Sequence, residues 1–414
     1  MTIFLVLLYG LVLSYIGLML MVIEGMLRPA RRPRSAARPP VSVIIPAHNE
    51  QEKLPATLSS LARQSYPGQV EFVVVDDRSS DDTADIITDF ADRDPRFRCE
   101  RVSEPSQRLA PKVNAVNQGI RCSEGDIIVT SDADCEYPEG WLEGLVSHFE
   151  DDVVMVVGYV ECTRADRARS RLATFESIDW FSLMLTSRSL TRFGWKFASS
   201  ANNQAYRRSA FEAGGGFGAG GRAPSGDEDL LTQRLGRLPG ARIVFASAPE
   251  VRVLTRPMSS LGELLQQRKR WVSRYHHVMH YHPGFMASIA ALGLQSVALA
   301  LAVPLAFAVP WIAPWVACLW GVKLGVELAG MRLGTAQLDR RDLFGLPVLT
   351  WAVLHPFFIA TVVVWSFLQP GEWRAGANSY RRRYWRRQFR EAGRRLRSVL
   401  LRGRGASGTS GDGW

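Results

Sequence analysis

From Val41 to about Leu254 the chain alternates short apolar runs with polar stretches, and long apolar stretches flank this region on both sides. The runs VSVII (Val41–Ile45), EFVVV (Glu71–Val75) and DIIVT (Asp126–Thr130) are rich in β-branched residues and bounded by turn residues. They are continuous rather than alternating, which suits strands buried on both faces of a mostly parallel sheet. A helix is predicted between the first two, over Glu50–Gln64. Two more fall between the second and third, over Asp81–Asp92 and around Lys112–Ile120. Strands alternating with helices in this way predict an α/β, doubly wound fold.

The flanking stretches are membrane candidates. Ile3–Ile23 is almost wholly apolar, and about 20 such residues span a bilayer. Basic residues come after this stretch rather than before it (Arg28, Arg31, Arg32, Arg34 and Arg38). That order favours a retained anchor over a signal peptide and places the chain beyond the anchor in the cytoplasm. Phe285–Met331, with Pro304, Pro310 and Pro314 near its middle, is long enough for two passes joined by a tight turn. Lys323 and Glu327 lie four apart in the second pass and can pair on one face. Leu343–Leu368, containing Pro347 and Pro356, is a third candidate. The expected organisation is an anchor over 1–27, a Pro- and Arg-rich linker over 28–40, a cytoplasmic domain over 41–275, a membrane region of two to three passes over 276–369 and a basic tail over 370–414.

Charge adds to this picture mainly in the tail. The chain has 50 Lys+Arg against 40 Asp+Glu, a formal net charge of +10. Between Arg374 and Arg404 stand twelve arginines and one acid, Glu391. The basic balance therefore belongs to a tail, and no nucleic-acid-binding motif accompanies it. Within the tail Trp385, Phe389, Ala392, Leu396 and Val399 share one helical face, the pattern of a helix lying among lipid headgroups. Its arginines belong on the cytoplasmic side, whereas three full passes after a cytoplasmic domain would put the tail outside. The charge rule is preferred here to the pass count, so Leu343–Leu368 is expected to be re-entrant or an earlier stretch not to cross. The five cysteines (Cys99, Cys122, Cys135, Cys162 and Cys318) include no C-x-x-C pair, which fits a reducing compartment.

Chemistry gathers at the strand ends. The first strand leads into PAHNE (Pro46–Glu50), the second into DDRSSDDT (Asp76–Thr83) and the third into SDAD (Ser131–Asp134). In open α/β sheets ligands bind beyond the carboxyl ends of the strands, so acids from different strands converge there. A single acidic strand end could be no more than a helix cap, and Ser80–Asp82 fits that role. Asp132 and Asp134 stand one residue apart and repel each other, so a positive partner is expected. Mg²⁺ and Mn²⁺ favour carboxylates together with phosphate oxygens.

Taken together, PAHNE, VDDRSSDDT, SDAD, GDEDL (Gly226–Leu230), QRKRW (ending at Trp271) and the helix LAPKVNAVNQGI (Leu109–Ile120) resemble the family 2 glycosyltransferases. Their Q-x-x-R-W motif marks the membrane-embedded branch, which includes polysaccharide synthases and ceramide-glucosyltransferase-like enzymes. The resemblance covers roughly residues 41–275 and implies a GT-A fold, a nucleotide-diphosphate sugar donor (UDP-linked by expectation) and a divalent Mg or Mn ion. It also implies location in a bacterial inner (plasma) membrane. By this resemblance His48, Glu50, Asp76 and Asp77 grip the base and ribose, and Lys112 meets the donor phosphates. Asp132 faces the ribose or metal, Asp134 binds the metal, and Asp229 is the general base of an inverting transfer. Arg270 steadies the diphosphate, while Gln267 and Trp271 meet the acceptor. The acceptor expected is a lipid or other membrane-borne group, with membrane lipids around it. A processive polysaccharide synthase is the alternative, and an inactive scaffold a third reading.

Other readings stand beside these roles. Lys112 could be a solvated helix residue, Trp271 an interfacial anchor and Glu228 the base in place of Asp229. Asp227 reads as a loop acid. His276 and His280 have helical spacing without the glutamate of a zinc motif. In EAGGGFGAGGR (Glu212–Arg222) the GGF resembles the family's turn before the base, and the remaining glycines predict a mobile lid. Trp180, Phe181, Leu183 and Met184 read as core or membrane-interface packing.

Overall fold

The computed structural model describes residues 2–28, 35–106, 108–163, 166–167, 170–196, 200–218, 227–272 and 283–368. The tail helix, His276 and His280, the side chain of Glu228 and the lid glycines Gly220 and Gly221 lie outside the described residues.

After α1 (Thr2–Leu27) come β1 (Val41–Ala47), α2 (Leu54–Ala62), β2 (Val70–Asp76), α3 (Thr83–Arg93), β3 (Phe97–Arg101), α4 (Pro111–Arg121) and β4 (Ile127–Thr130). Next are β5 (Cys135–Glu136), α5 (Trp141–Val146), β6 (Val153–Gly158), β7 (Val160–Cys162), α6 (Arg171–Thr191), β8 (Gln204–Arg207) and α7 (Arg208–Ala213). The chain continues through α8 (Asp227–Leu235), β9 (Arg242–Ala246), β10 (Val253–Thr255), α9 (Leu261–Val272), α10 (Pro283–Ala308), α11 (Ala313–Gln337) and α12 (Leu346–Leu368). The three predicted strands and the helices after them all form. Pro55 and Pro111 stand in the first turns of α2 and α4, where a missing N–H costs nothing.

The main sheet has seven strands in the order β3-β2-β1-β4-β8-β6-β9. All neighbours run parallel except β8, which is antiparallel to β4 and β6. The doubly wound expectation therefore holds. Successive side chains on a strand face opposite sides, and the core divides accordingly. Val43, Ile45, Phe72, Val74 and Val129 pack with α2, α3 and α6. Ile44, Val73, Val75 and Ile128 pack with Val113 and Val116 of α4 and Leu231 and Leu235 of α8. β3 has no counterpart in the predicted strands. It is an edge strand whose Arg98, Glu100 and Arg101 break up the apolar signal, as edge strands often do. Only Phe97 of that strand is buried, 4.7 Å from Phe72.

Among the described residues four helices are long and apolar enough to cross a membrane, covering Ile3–Leu27, Met286–Ala308, Pro310–Gln337 and Leu346–Leu368. The prolines at 310 and 314 fall at the junction of α10 and α11, where the tight turn was expected. Lys323 and Glu327 do pair, at 2.7 Å and almost wholly buried. Their network extends further. Tyr15 of α1 donates to Glu327 at 2.6 Å, and Lys323 donates to the carbonyl of Ala352 at 2.6 Å. Pro356 has no N–H to offer that carbonyl four residues back. Lys323 takes the missing donor's place, and α12 continues unbroken through its proline.

α12 touches the sheet-bearing domain near both of its ends. The connection before it is fixed by Arg340 on Glu161 and by Arg252 donating to the carbonyl of Leu338 at 2.7 Å. Further along, Phe358 meets Phe175 of α6 at 5.3 Å, and Trp365 lies under Lys269 of α9 at 4.3 Å. α6 carries the buried Trp180, Phe181 and Met184, with Leu183 more exposed, and runs beside α1. The approach is close: a Cβ on Gly25 would stand 2.6 Å from the carbonyl oxygen of Ser189. Arg192 caps the end of α1 by donating to the carbonyls of Gly25 and Met26, each at 3.0 Å. Residues 35–40 of the linker form neither helix nor strand, and Arg38 ties them to Glu143 of α5 at 2.6 Å.

Candidate active site

The loops after β1 and β2 are sewn together at the carboxyl edge of the sheet. Asp77 N–H donates to the carbonyl of Ala47 at 2.8 Å, and Nδ1 of His48 lies 2.7 Å from the carbonyl of Asp77. Asn49 donates its N–H to Ser79 Oγ at 3.0 Å and accepts from Ser80 N–H at 2.8 Å. Glu50 N–H donates to Thr83 Oγ1 at 2.9 Å. Asn49 and Arg78 both adopt left-handed backbone, with φ of 55° and 59°. Such strain is tolerated where surrounding contacts fix the loop.

The acids of the second loop have unequal surroundings. Asp76 is 1 % exposed, accepting from Ser79 N–H at 2.9 Å and from Arg101 Nε at 3.1 Å. It shapes the turn from beneath. Asp77 is also buried and pairs with Arg78 at 3.1 Å. Asp81 accepts from Thr83 N–H at 3.1 Å and from its hydroxyl at 2.6 Å. That arrangement organises the chain just before α3, although Asp82, the capping residue itself, makes no side-chain cap bond.

The pair at the end of β4 is held from several sides. Ser131 N–H donates to the carbonyl of Ile44 at 3.3 Å, and its hydroxyl donates to the carbonyl of Asn202 at 2.5 Å. Tyr137 donates to Ser131 Oγ at 2.8 Å, and Thr57 donates to the carbonyl of Ala133 at 2.9 Å. Cys135 is fully buried behind the pair. Burial, then the neighbouring Asp134 and Asp132, push its thiol well up. The carboxylates themselves stay partly open, each 25 % exposed.

Each carboxylate faces a lysine. Lys112 Nζ is 2.5 Å from Asp132 Oδ1, and Lys53 Nζ is 3.4 Å from Asp134 Oδ2 and 3.6 Å from Glu50. The structure thus places Lys112 at the acidic pair and not on a purely solvated face. α4 brings it there by lying hard against the sheet. A Cβ on Gly119 would come within 2.6 Å of Ile44 and 2.9 Å of Val75. Lys53 was missed at the sequence level, and its only signal is its place three residues after Glu50.

Do these residues fit a divalent ion? Among the described residues no group of three His, Cys, Asp or Glu is placed to hold a metal. Mg²⁺ in phosphate-transfer sites takes one or two carboxylates and completes its shell with phosphate oxygens and water. Two partly exposed carboxylates with no third protein ligand suit an ion that arrives with a diphosphate.

Asp229 is buried in the first turn of α8, where a carboxylate meets the positive end of the helix. Asp227 was expected in a loop and instead opens that helix. Before α8, Gly215 and Gly216 take left-handed φ of 74° and 58°. Phe217 then packs on Phe211 at 5.3 Å.

The last motif lies on α9, and the chain reaches it from beside the acidic pair. In β10, Thr255 pairs with Cys135, the residue after Asp134. On α9 itself Arg270 and Trp271 are half-buried. Trp271 meets Trp180 edge-on at 5.3 Å. Gln267 accepts from Arg268, a residue absent from the predicted site. Arg268 in turn lies 4.1 Å over the Trp271 ring and 2.7 Å from Asp179.

Comparison with known proteins agrees with this architecture. Residues 42–215 match the model of "Glycosyl transferase family 2". The chain is 30 % identical over 230 residues to "Probable glycosyltransferase YdaM" of Bacillus subtilis, covering 54 % of each. It is 31 % identical over 179 residues to an undecaprenyl-phosphate 4-deoxy-4-formamido-L-arabinose transferase of Yersinia pestis, covering 42 % of this chain and 50 % of that one. The chain therefore spans about half the length of these curated relatives. Its fold is similar to that of a mannosyltransferase from Pyrobaculum calidifontis, solved with GDP-mannose and Mn²⁺. That match has a TM-score of 0.58 at 20 % identity and covers 88 % of this chain and 99 % of that one.

Proposed function

We propose that this chain, whose residues 42–215 match the family 2 glycosyltransferase model, moves one sugar from a nucleotide-diphosphate donor to a lipid or other membrane-borne acceptor, inverting the sugar. The observation that carries this reading is the pair Asp132 and Asp134 beyond parallel strands, each carboxylate within reach of a lysine. Such an arrangement suits a ligand with its own cation and several negative oxygens.

Asp132 and Asp134 would hold a magnesium or manganese ion, which supplies a Lewis-acid partner for the diphosphate oxygens. Lys112, at the start of α4, offers its ammonium to the same phosphates, and Arg270 of α9 adds a second cation. The loops carrying His48, Glu50 and Asp77 receive the base and ribose, with Asp76 holding their turn in shape. Asp229 takes the proton of an acceptor hydroxyl. That oxygen bonds to the anomeric carbon as the bond to the diphosphate breaks, and the nucleoside diphosphate leaves with the electron pair. Gln267 and Trp271 meet the acceptor beside the membrane helices. A UDP-linked donor and a cytoplasmic domain at a bacterial inner membrane complete the proposal.

The test uses purified full-length protein with a panel of UDP- and GDP-sugars, Mg²⁺ or Mn²⁺, and either undecaprenyl phosphate or total bacterial lipid. Release of nucleoside diphosphate together with a lipid gaining one hexose-sized mass supports the reading. Polymer made from donor alone would replace it with a synthase, and no release from any donor would overturn it.

A further inference from the structure

Arg268 is 4 % exposed, and its contacts reach both the proposed acceptor motif and, through Asp179, the apolar helix α12. Its guanidinium donates from Nε to Asp179 Oδ2 at 2.9 Å, with Nη2 2.7 Å from the same oxygen. Asp179 Oδ1 lies 3.3 Å from Nε2 of His355, which belongs to the apolar helix α12. All three side chains are buried. On its other side Arg268 donates from Nη1 to the side-chain oxygen of Gln267 and lies 4.1 Å over the ring of Trp271. One buried cation thus touches both side chains assigned to the acceptor, and one buried carboxylate joins that cation to a membrane helix.

A buried ion pair contributes little net stability, because desolvation offsets the attraction. What it does supply is direction. The guanidinium is planar and presents its donors in a fixed fork. With the fork held by Asp179, the guanidinium presents a fixed donor to the Gln267 amide and a fixed face to the Trp271 ring. Burial alone would push the Asp179 carboxyl up, but Arg268 and His355 hold it at about 2. The anchor is therefore charged throughout the neutral range.

We propose that Arg268, fixed by Asp179 and through it by His355 of α12, is a positioning residue that sets Gln267 and Trp271 for a lipid acceptor at the seam between α9 and the membrane helices. This rests on the glycosyltransferase reading above, so the test carries one readout that needs no activity.

Full-length protein is labelled with 5-fluorotryptophan, and the Trp271 resonance is identified by its loss in Trp271→Phe. Asp179→Asn should shift that resonance. With undecaprenyl phosphate as acceptor, the same variant should raise acceptor KM ~10-fold while donor KM stays within about twofold. In a Trp271→Ala background Asp179→Asn should add less than about twofold, because coupled residues are not additive. Arg268→Lys keeps the charge and loses the fork, so it should reproduce the effect and decides the matter if Asp179→Asn does not fold. An unmoved Trp271 resonance, an equal rise in donor and acceptor KM, or additive effects in the double variant would each overturn the inference. If the wild type transfers nothing, the proposed activity fails, and the Trp271 resonance alone decides the positioning claim.

Discussion

Lys112 Nζ stands 2.5 Å from Asp132 Oδ1, so the acidic pair at the end of β4 already has a cationic partner before any ligand arrives. Lys53 does the same for Asp134 at 3.4 Å. Two carboxylates one residue apart call for positive charge, and the protein provides it from the first turn of α4 and from the residue just before α2. An incoming metal must compete with both lysines.

That competition gives the first prediction. Lys53→Met should tighten Mn²⁺ binding in the absence of donor by roughly 2- to 5-fold, the scale of one partly exposed charge pair. Titration of the free Mn²⁺ electron-paramagnetic-resonance signal measures it directly. Unchanged or weaker Mn²⁺ binding would show that Lys53 does not oppose the metal.

Asp229 sits buried in the first turn of α8, and its proposed work is confined to proton removal. Asp229→Asn should lower kcat by ~10²–10⁴-fold with a hydroxyl acceptor and leave donor affinity nearly unchanged, as expected for a group acting in the transition state. A phosphate acceptor is already ionised and needs no base, so a lipid-phosphate acceptor should show a much smaller loss. An equal loss of donor affinity would assign Asp229 to donor binding instead.

In the membrane half, Lys323 stands in for the N–H that Pro356 lacks, with Glu327 and Tyr15 completing the network. Lys323→Met leaves Glu327 buried without its cation and should cost about 3–5 kcal/mol, seen as a lower thermal midpoint in detergent. Adding Glu327→Gln should recover part of that loss. Pro356→Ala gives the Ala352 carbonyl an N–H again and should soften the effect of Lys323→Met. A Lys323→Met midpoint equal to that of wild type would remove the network from the account.

The carboxyl of Asp179 is held at about 2 against an ordinary 3.8. A folded value below the free one stabilises the fold fully above about pH 4, and the contribution is lost as pH falls through about 2. The gap in unfolding midpoint between wild type and Asp179→Asn should therefore not shrink from neutral pH down to about 5, and should close as pH falls from about 4 towards about 2. A gap that shrinks already between neutral pH and about 6 would contradict the assignment.

The parts legible in the sequence were those whose signal is local. β1, β2 and β4 are continuous β-branched runs because they are buried on both faces, and the membrane helices can be read from length and apolarity. The acidic pair was visible because two adjacent charges at a strand end need an explanation. β3 was hidden because charged residues cover an edge strand that buries only Phe97. Lys53 looked like any solvated lysine near a helix start. The joining of Asp179 to Arg268 could not be read locally, since 89 residues separate them and His355 comes from a different helix again. The role of Lys323 depends on a carbonyl that becomes free only through a proline on a neighbouring helix.

The central claim is that Asp132 and Asp134 carry a metal-bound sugar donor, and Asp134→Asn tests it most directly. The purified variant should keep the wild-type thermal midpoint, lose Mn²⁺ binding in the resonance titration, and release nucleoside diphosphate at under ~1 % of the wild-type rate, as expected when a metal ligand is removed. Wild-type release with undiminished Mn²⁺ dependence in that variant would contradict the account.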